Sequence, residues 1–595
     1  MGFARLRRTD IGTVVWHWLL VVSLAVAMST GLRIAADDPG LRWLLALDAV
    51  LPRENLWLWH VIGALGFTAA LCGYAAYILL ARLTQRSRLD RTRLTTLARA
   101  GSGRWAALGV VVLWIAFGAF AVEIASGLML YLGQAGWALV LHRNAVWICL
   151  AFPLLHVLIH ALYGGVAQLL RIVLPTRLVE TPPEPDILGL LADHIQLVDE
   201  MRRGVASDPA PLTAPASPQG KPRAPLVASL LVGLLTLAAG VAFDRSSAVA
   251  LVVRPIGELG VMERPEIDGD ISDAIWVSAP PVSIVTTEGA NLAGTGESRV
   301  EVRAVHDFDN LYMAITWDDP TRSLKHRPLV KREDGWHVVE TDPNPAREDV
   351  FNEDKFSILI TQPTLPVIGA AIHLAAKPLA DAPASASGRG LHYTAPNGLA
   401  DVWVWRASHG GAGGHIEDAH FIGPMRPSPA QIAGNERYTG GFGLDDGDPC
   451  HADNMQPANG SVVTPLRLPK DMAHAIEELG EVYDNGDFSE EEDTNWWLSD
   501  TESQPYSTTA DASIPLGAII PGVLVSCTPS GDVADVHGVA RWSAGRWTLE
   551  LAAPLATASH GDIPIASGDM LWVAVFDHSA THHTHHTRPL TLELK

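Results

Sequence analysis

The sequence predicts two fold classes in series: an all-α transmembrane four-helix bundle with a fifth membrane span, then an all-β sandwich soluble domain. Three observations predict this. Charge is split along the chain: residues 1–249 hold 21 Lys+Arg against 15 Asp+Glu, about +6, and the remainder holds 22 against 50, about −28. Five apolar stretches in the first part are each long enough to cross a bilayer. From about Leu251 the pattern changes to short alternating runs separated by turn residues, as in a sandwich. The split explains how a 595-residue chain that is 48% apolar can carry a net charge of −22. The boundaries are 1–178 for the bundle, 179–224 for a linker, 225–245 for the fifth span and 250–595 for the sandwich.

Composition removes several function classes. An acidic domain of this size repels phosphate, so nucleic-acid binding is excluded. The acidic part is rich in Trp, Val, Leu and Ile and is no disordered tail. Four cysteines exclude a disulfide scaffold. Cys72 and Cys149 lie in apolar runs as packing thiols, and Cys450 and Cys527 allow one disulfide that spacing alone does not specify. No CxxCH occurs, which excludes covalent c-type haem. GxSxG, P-loop and dinucleotide fingerprints are also missing, and no HExxH supplies a catalytic base.

The spans run from Ile11 to Ile34, Leu56 to Ala81, Trp105 to Leu132, Trp137 to Leu174 and Leu226 to Phe243. The fourth exceeds one bilayer thickness and must tilt, kink near Pro153 or project beyond the membrane. The first follows Arg5, Arg7 and Arg8, but its length and the lack of a small-residue cleavage site argue against a removed signal peptide. The loop between spans two and three carries Arg82, Arg86, Arg88, Arg91, Arg93, Arg99 and Arg104, which places it in the cytoplasm by the positive-inside rule. The N-terminus is then cytoplasmic, and the fifth span, preceded by Lys221 and Arg223, delivers the sandwich to the periplasm of a bacterial inner membrane. The Pro- and Ala-rich stretch from Thr181 to Lys221 reads as the cytoplasmic linker.

Five histidines lie in the first four spans: His17, His60, His142, His156 and His160. An imidazole in hydrocarbon is costly and marks function. Their depths correlate. His17 is near the inner end of span one, and His60 near the outer end of span two. In span four His142 lies toward the outer surface and His156 toward the inner one. Fourteen helical residues rise about 21 Å and end about 40° short of four turns, so His142 and His156 share a face. Depth matching gives His60 with His142 and His17 with His156, two bis-imidazole sites stacked in a bundle, as two b-type haems require. Zinc would need ligands converging at one depth. His160, one turn beyond His156, is the alternative inner ligand.

The opening TDIGTVVWHW, the histidine at the start of span two and the His-x13-His of span four resemble the di-haem cytochrome b subunits of formate dehydrogenases and nickel-iron hydrogenases, over about residues 8–178. The resemblance implies His17, His60, His142 and His156 as haem-iron ligands and quinone as the substrate. Glu123, alone in span three, is the candidate for quinone proton transfer; its alternative is a carboxyl satisfied by a neighbour.

In the acidic part, VEVRAVHD and LYMAITWDD form a predicted hairpin from Val300 to Asp319, and a second runs from Asp535 to Leu555. Further strands are Phe356 to Gln362, Asp401 to Ser408 and Met570 to Ser579, while Gly410 to Pro515 reads as long loops. IDGDISDAIWVSAP (Ile267 to Pro280) resembles the first strand region of carbohydrate-binding and haem-binding sandwiches, so a membrane-anchored carbohydrate-binding or sensing protein is the competing reading.

Ala304 to Pro320, Glu348 to Ile360, Asp401 to Arg406, Arg546 to Leu555 and Val573 to Asp577 resemble, in order, the ethylbenzene-dehydrogenase-related family. That family takes in haem-binding gamma subunits of dimethyl-sulfoxide-reductase-type molybdenum enzymes. Those subunits bind haem through Met and Lys, one before the DxWxW strand and one after the xAVxD strand. Here the first region offers His373, with Lys377 nearby and His392 as a rival. The second offers His578, His582, His583, His585 and His586. The resemblance therefore implies a bis-His haem with His373 opposite His583 or His586.

The acidic run Asp487 to Asp493 is a solvated loop or a surface that steers a basic cytochrome c. The predicted function is electron transfer between quinone and a periplasmic partner, a cytochrome c or a molybdenum oxidoreductase subunit. It would use two membrane b haems and one in the sandwich.

Overall fold

A computed structural model describes residues 9–36, 39–47, 49–52, 56–98, 101–133, 136–173, 175–176, 224–260, 263–339, 352–362, 373–374, 392–393, 398–409, 414–423, 426–433, 441–456, 462–473, 496–579, 582–586 and 588–595. The expected linker from Thr181 to Lys221, Lys377 and the acidic run Asp487 to Asp493 lie outside the described residues. The chain divides into two compact units. One is Met1–Ala27, Ile62–Ser126 and Leu139–Ala242; the other is Met28–Val61, Gly127–Ala138 and Phe243–Lys595.

Five helices are long and apolar enough to cross a membrane. They are α1 (Ile11–Ala35), α2 (Leu56–Leu80), α3 (Ser102–Tyr131), α4 (Trp137–Leu169) and α5 (Ala224–Ser247). Pro153 is accommodated inside α4, and the non-helical residue falls instead at Gly165, whose φ of +64° suits a residue without a Cβ. Within the first unit, contacts close a ring of four helices. A Cβ on Gly63 of α2 would lie 2.7 Å from the Ala27 backbone of α1. Phe67 meets Phe120 of α3 at 4.8 Å, and Phe120 meets Phe152 of α4 at 5.7 Å between ring centroids. His156 of α4 then faces His17 of α1.

The fifth helix docks on this ring. Trp16 Nε1 donates to Ser229 Oγ at 2.9 Å, and Leu65 fills the space beside Gly240.

Beyond α5 the chain enters a twelve-stranded sheet. Its strands are β1 (Val249–Pro255), β2 (Val282–Thr286), β3 (Ser298–His306), β4 (Asn310–Asp318), β5 (Lys355–Thr361), β6 (Leu399–Arg406), β7 (His415–Ile422), β8 (Phe442–Leu444), β9 (His537–Ser543), β10 (Arg546–Pro554), β11 (Met570–Phe576) and β12 (Leu590–Leu594). The order is β8-β7-β6-β5-β11-β12-β1-β3-β4-β10-β9, with β2 on β3. Only β12–β1 and β1–β3 among these pairs are parallel. The two arms share one core: Phe356, Ile358, Trp405 and Val573 from one, and Val302, Met313, Trp317, Trp547 and Leu551 from the other. Trp317 stacks on Phe356 at 4.6 Å and Trp405 meets Trp547 at 4.7 Å. Alternate residues of most strands face this core, which is the period-two pattern of a sandwich.

Two expectations need correction. Ile267 to Pro280 forms no strand; it is a turn and the short helix Ala274–Ser278. Glu550 organises it, accepting backbone N–H groups of Asp268, Gly269 and Asp270 at 3.1, 2.8 and 3.1 Å and the Trp276 indole at 2.5 Å. The region from Gly410 to Pro515 is not only loops. It contains β7, paired along its whole length with β6, and several two- to four-residue strands. Cys450 and Cys527 are joined in a disulfide.

Candidate functional site

The sequence TDIGTVVWHW folds as a helix start that fixes His17. Asp10 caps α1, its Oδ1 accepting from Thr13 N at 2.9 Å. The same oxygen accepts from Tyr77 OH at 2.6 Å, and Oδ2 accepts from Arg86 at 2.9 Å. Gly12 is required here, because a Cβ would lie 2.2 Å from the Tyr77 ring. The start of α1 is thereby pinned to the far end of α2.

Two turns along, the ring of His17 faces that of His156, with centroids 6.3 Å apart and planes 29° apart. Two imidazoles bonded at about 2 Å to opposite sides of one metal place their ring centres roughly 6 Å apart, so the pair fits a haem iron. Phe152 packs on His156 at 5.3 Å. His160 stands edge-on to His156 at 4.5 Å, and its Nδ1 lies 3.4 Å from Gln168 Nε2.

The other two candidates are each oriented by a neighbouring helix. In the second unit, His60 Nδ1 lies 3.2 Å from Thr30 Oγ1 of α1, and Gly31 leaves room for its ring, since a Cβ would lie 2.9 Å from His60 Cε1. In the first unit, His142 Nδ1 lies 2.8 Å from Glu123 Oε2 and 3.0 Å from Ser126 Oγ, both on α3. Holding Nδ1 fixes a ligating imidazole's rotation and turns Nε2 the opposite way. Glu123 thus lies against a candidate haem ligand, which a reading of α3 by itself does not reveal.

In the sandwich, His373 and His392 lie on paired two-residue strands, His373 opposite Tyr393 and His392 opposite Leu374. Their side chains lie outside the described residues. His583 is buried, with Nδ1 2.8 Å from Thr584 O and its ring 4.9 Å from Phe576. His586 is held by backbone on both sides: its Nε2 accepts the Val573 N–H at 3.0 Å and its Nδ1 meets Arg588 O at 2.5 Å. Burial pushes its pKa down to about 4, consistent with a neutral ring that donates on one side and accepts on the other.

His578 Nδ1 pairs with Asp577 at 2.5 Å, and the backbone of His585 bridges to Thr287. The backbone carbonyl of His582 accepts from Ala290 N–H at 2.9 Å.

Five spanning helices, a facing imidazole pair in the bundle and an appended sandwich define a multi-pass membrane b-type cytochrome. Residues 8–175 match the family model of prokaryotic cytochrome b561, whose members hold b-type haem in a helical bundle for electron transfer. The chain belongs to the ethylbenzene dehydrogenase family, whose model matches residues 273–588. No curated protein matches the sequence.

Two solved structures are similar to part of the chain. A family 9 carbohydrate-binding module from Caldicellulosiruptor kristjanssonii, in complex with glucose, shows 9% identity over 58% of this chain and 95% of that one, with a TM-score of 0.21. A structure from Bacteroides uniformis ATCC 8492, assigned as a carbohydrate-binding protein, shows 8% identity over 58% and 100%, with a TM-score of 0.22. At these scores neither carries an argument about fold or ligand.

Proposed function

We propose that this cytochrome moves electrons between the quinone pool and a periplasmic redox partner, with two b haems in the bundle and a third in the sandwich. The facing of His17 and His156 at 6.3 Å carries the reading. Those residues hold the inner haem, and His60 and His142, matched by depth in the sequence, hold the outer one. Haem supplies one-electron chemistry; the protein supplies ligands, ring orientation and a dry surrounding that set its potential. Thr30, Ser126 and Glu123 act on that potential through the Nδ1 edges they hold. In the sandwich, His373 and His583 would hold the third haem.

The N-terminus is cytoplasmic and the sandwich periplasmic, on the Arg-rich loop between α2 and α3. The Cys450–Cys527 disulfide supports an oxidising compartment for the sandwich. The partner is a cytochrome c or a molybdenum oxidoreductase subunit.

A pyridine haemochrome assay on the purified chain tests this, with three b haems per chain expected. Two haems would reduce the sandwich to a binding module, and none would end the electron-transfer reading.

A further inference from the structure

Away from the candidate haem ligands, the sandwich buries a second set of imidazoles and carboxylates. His409 follows β6, Glu417 lies in β7, and His451 begins the strand His451–Asp453 next to the disulfide cysteine Cys450. One donor atom from each, His409 Nδ1, Glu417 Oε1 and His451 Nε2, lies within 4.8 Å of the other two. His451 Nε2 is 2.5 Å and His409 Nδ1 3.8 Å from Glu417 Oε1, and the two imidazoles stack at 4.0 Å.

Protein hydrogen bonds leave this arrangement incomplete. His409 and Glu417 are only 4% and 2% exposed, yet His409 Nδ1 has no hydrogen-bond partner, and Glu417 Oε1 and His451 Nε2 have only their close contact with each other. Buried polar atoms are almost always satisfied, and donor atoms gathered at one place in this way are suited to a common partner. The other oxygens around them are already used. Glu417 Oε2 accepts from Arg406 Nε at 3.0 Å. Glu353 Oε1 accepts from Arg406 Nη1 at 2.9 Å, and its Oε2 accepts the Ser408 N–H at 2.9 Å and the Ser408 hydroxyl. Arg406 therefore fixes the carboxylate of Glu417 with Oε1 turned toward the imidazoles, as an outer-shell group orients a ligand.

We propose that His409 Nδ1, Glu417 Oε1 and His451 Nε2 bind a divalent cation of the zinc class. Two imidazoles and one carboxylate are a borderline-soft donor set suited to Zn(II) and unlike the all-oxygen sets that select calcium or magnesium. Tetrahedral bonds of about 2 Å place ligand atoms roughly 3.3 Å apart, between the two distances seen here. The ring of His326 lies 6.1 Å from that of His409, with its Nδ1 3.4 Å from Glu353 Oε1. The ion clamps the disulfide-bearing segment onto β6 and β7. This site is independent of the haem assignments.

The test uses the full-length protein in detergent, loaded with ZnCl2 and desalted. Zinc is counted by mass spectrometry, because haem iron does not interfere with that count. One zinc per chain is expected, with a zinc X-ray absorption spectrum showing nitrogen and oxygen ligands and scattering from two imidazoles. Glu417→Gln and His451→Gln should each lose the zinc, and His585→Ala, in the separate histidine-rich loop, should keep it. A wild-type chain without zinc, or a spectrum without imidazole, would overturn the proposal. So would zinc retained in both Glu417→Gln and His451→Gln. Because the spectrum is taken on wild-type protein, the proposal stays open to refutation even if both variants fail to fold.

Discussion

At the residue scale, the inner haem assignment turns on two histidines one helical turn apart. Both lie on α4 and both are within reach of the same region, but only His156 faces His17 with near-parallel rings. His160 meets the ring of His156 edge-on, with Gln168 at its Nδ1. His156→Ala should therefore lose one b haem per chain, and His160→Ala should retain the full complement, as counted by pyridine haemochrome. The opposite pattern would transfer the ligand role to His160. The identities of these histidines are legible in the sequence because an imidazole in hydrocarbon is rare and its depth follows from its place in the span. Their supporting contacts are not legible. Glu123 and His142 are nineteen residues apart on different helices, and their 2.8 Å contact depends on how α3 and α4 pack. His586 shows the same limit in reverse, since a histidine-rich loop does not reveal which rings have both nitrogens committed to backbone.

At the scale of elements, apolar length marked all five spans and period-two alternation marked most strands of the sheet, because each pattern follows directly from the face an element buries. β7 escaped for a physical reason. Its buried positions include Glu417 and Asp418, so carboxyl groups sit where the pattern expects an apolar side chain, and the Arg406 that compensates Glu417 comes from β6. The docking of α5 was equally hidden, since small residues in a membrane helix carry no partner's name.

The structure makes that docking testable. Trp16 is confined between Gly73 of α2, where a Cβ would lie 2.1 Å from its ring, and Gly233 of α5, at 2.7 Å, while its indole donates to Ser229. Gly73→Leu should force this indole out and cost about 1–3 kcal/mol, the range for overpacking a filled interior. The expected readout is an earlier thermal loss of the haem Soret band in detergent, with partial recovery in the double variant Gly73→Leu, Trp16→Val. An unchanged melting temperature in Gly73→Leu would mean that the α1–α2–α5 contact is absent.

For the whole molecule, the acidic charge that separates the two parts of the chain extends into the sandwich interior. Asp401, Asp418, Asp445 and Asp562 gather there, the first three buried, with donor oxygens of Asp418, Asp445 and Asp562 within 4.8 Å of one another. Burial, followed by the charges of Asp401, Asp562 and Asp445, pushes the pKa of Asp418 up to about 10. Burial and the contact with Asp445 push that of Asp562 up to about 6. Unfolded, each releases its proton near 3.8. The folded state therefore binds more protons than the unfolded one above that pH, and stability falls as pH rises. Asp562 contributes its share of the loss between about 4 and 6, and Asp418 continues to contribute up to about 10.

Self-repulsion of a chain at −22 acts in the same direction, but salt screens it, with a Debye length of about 3 Å at 1 M, far more than it screens buried groups. In high salt, the tryptophan-fluorescence melting temperature of the sandwich should fall steadily between pH 5 and pH 9, and Asp418→Asn should flatten much of that slope. A melting temperature that rises with pH, or an Asn variant with an unchanged slope, would show that these carboxyls are ionised in the folded chain and that the pH dependence of its stability has another source.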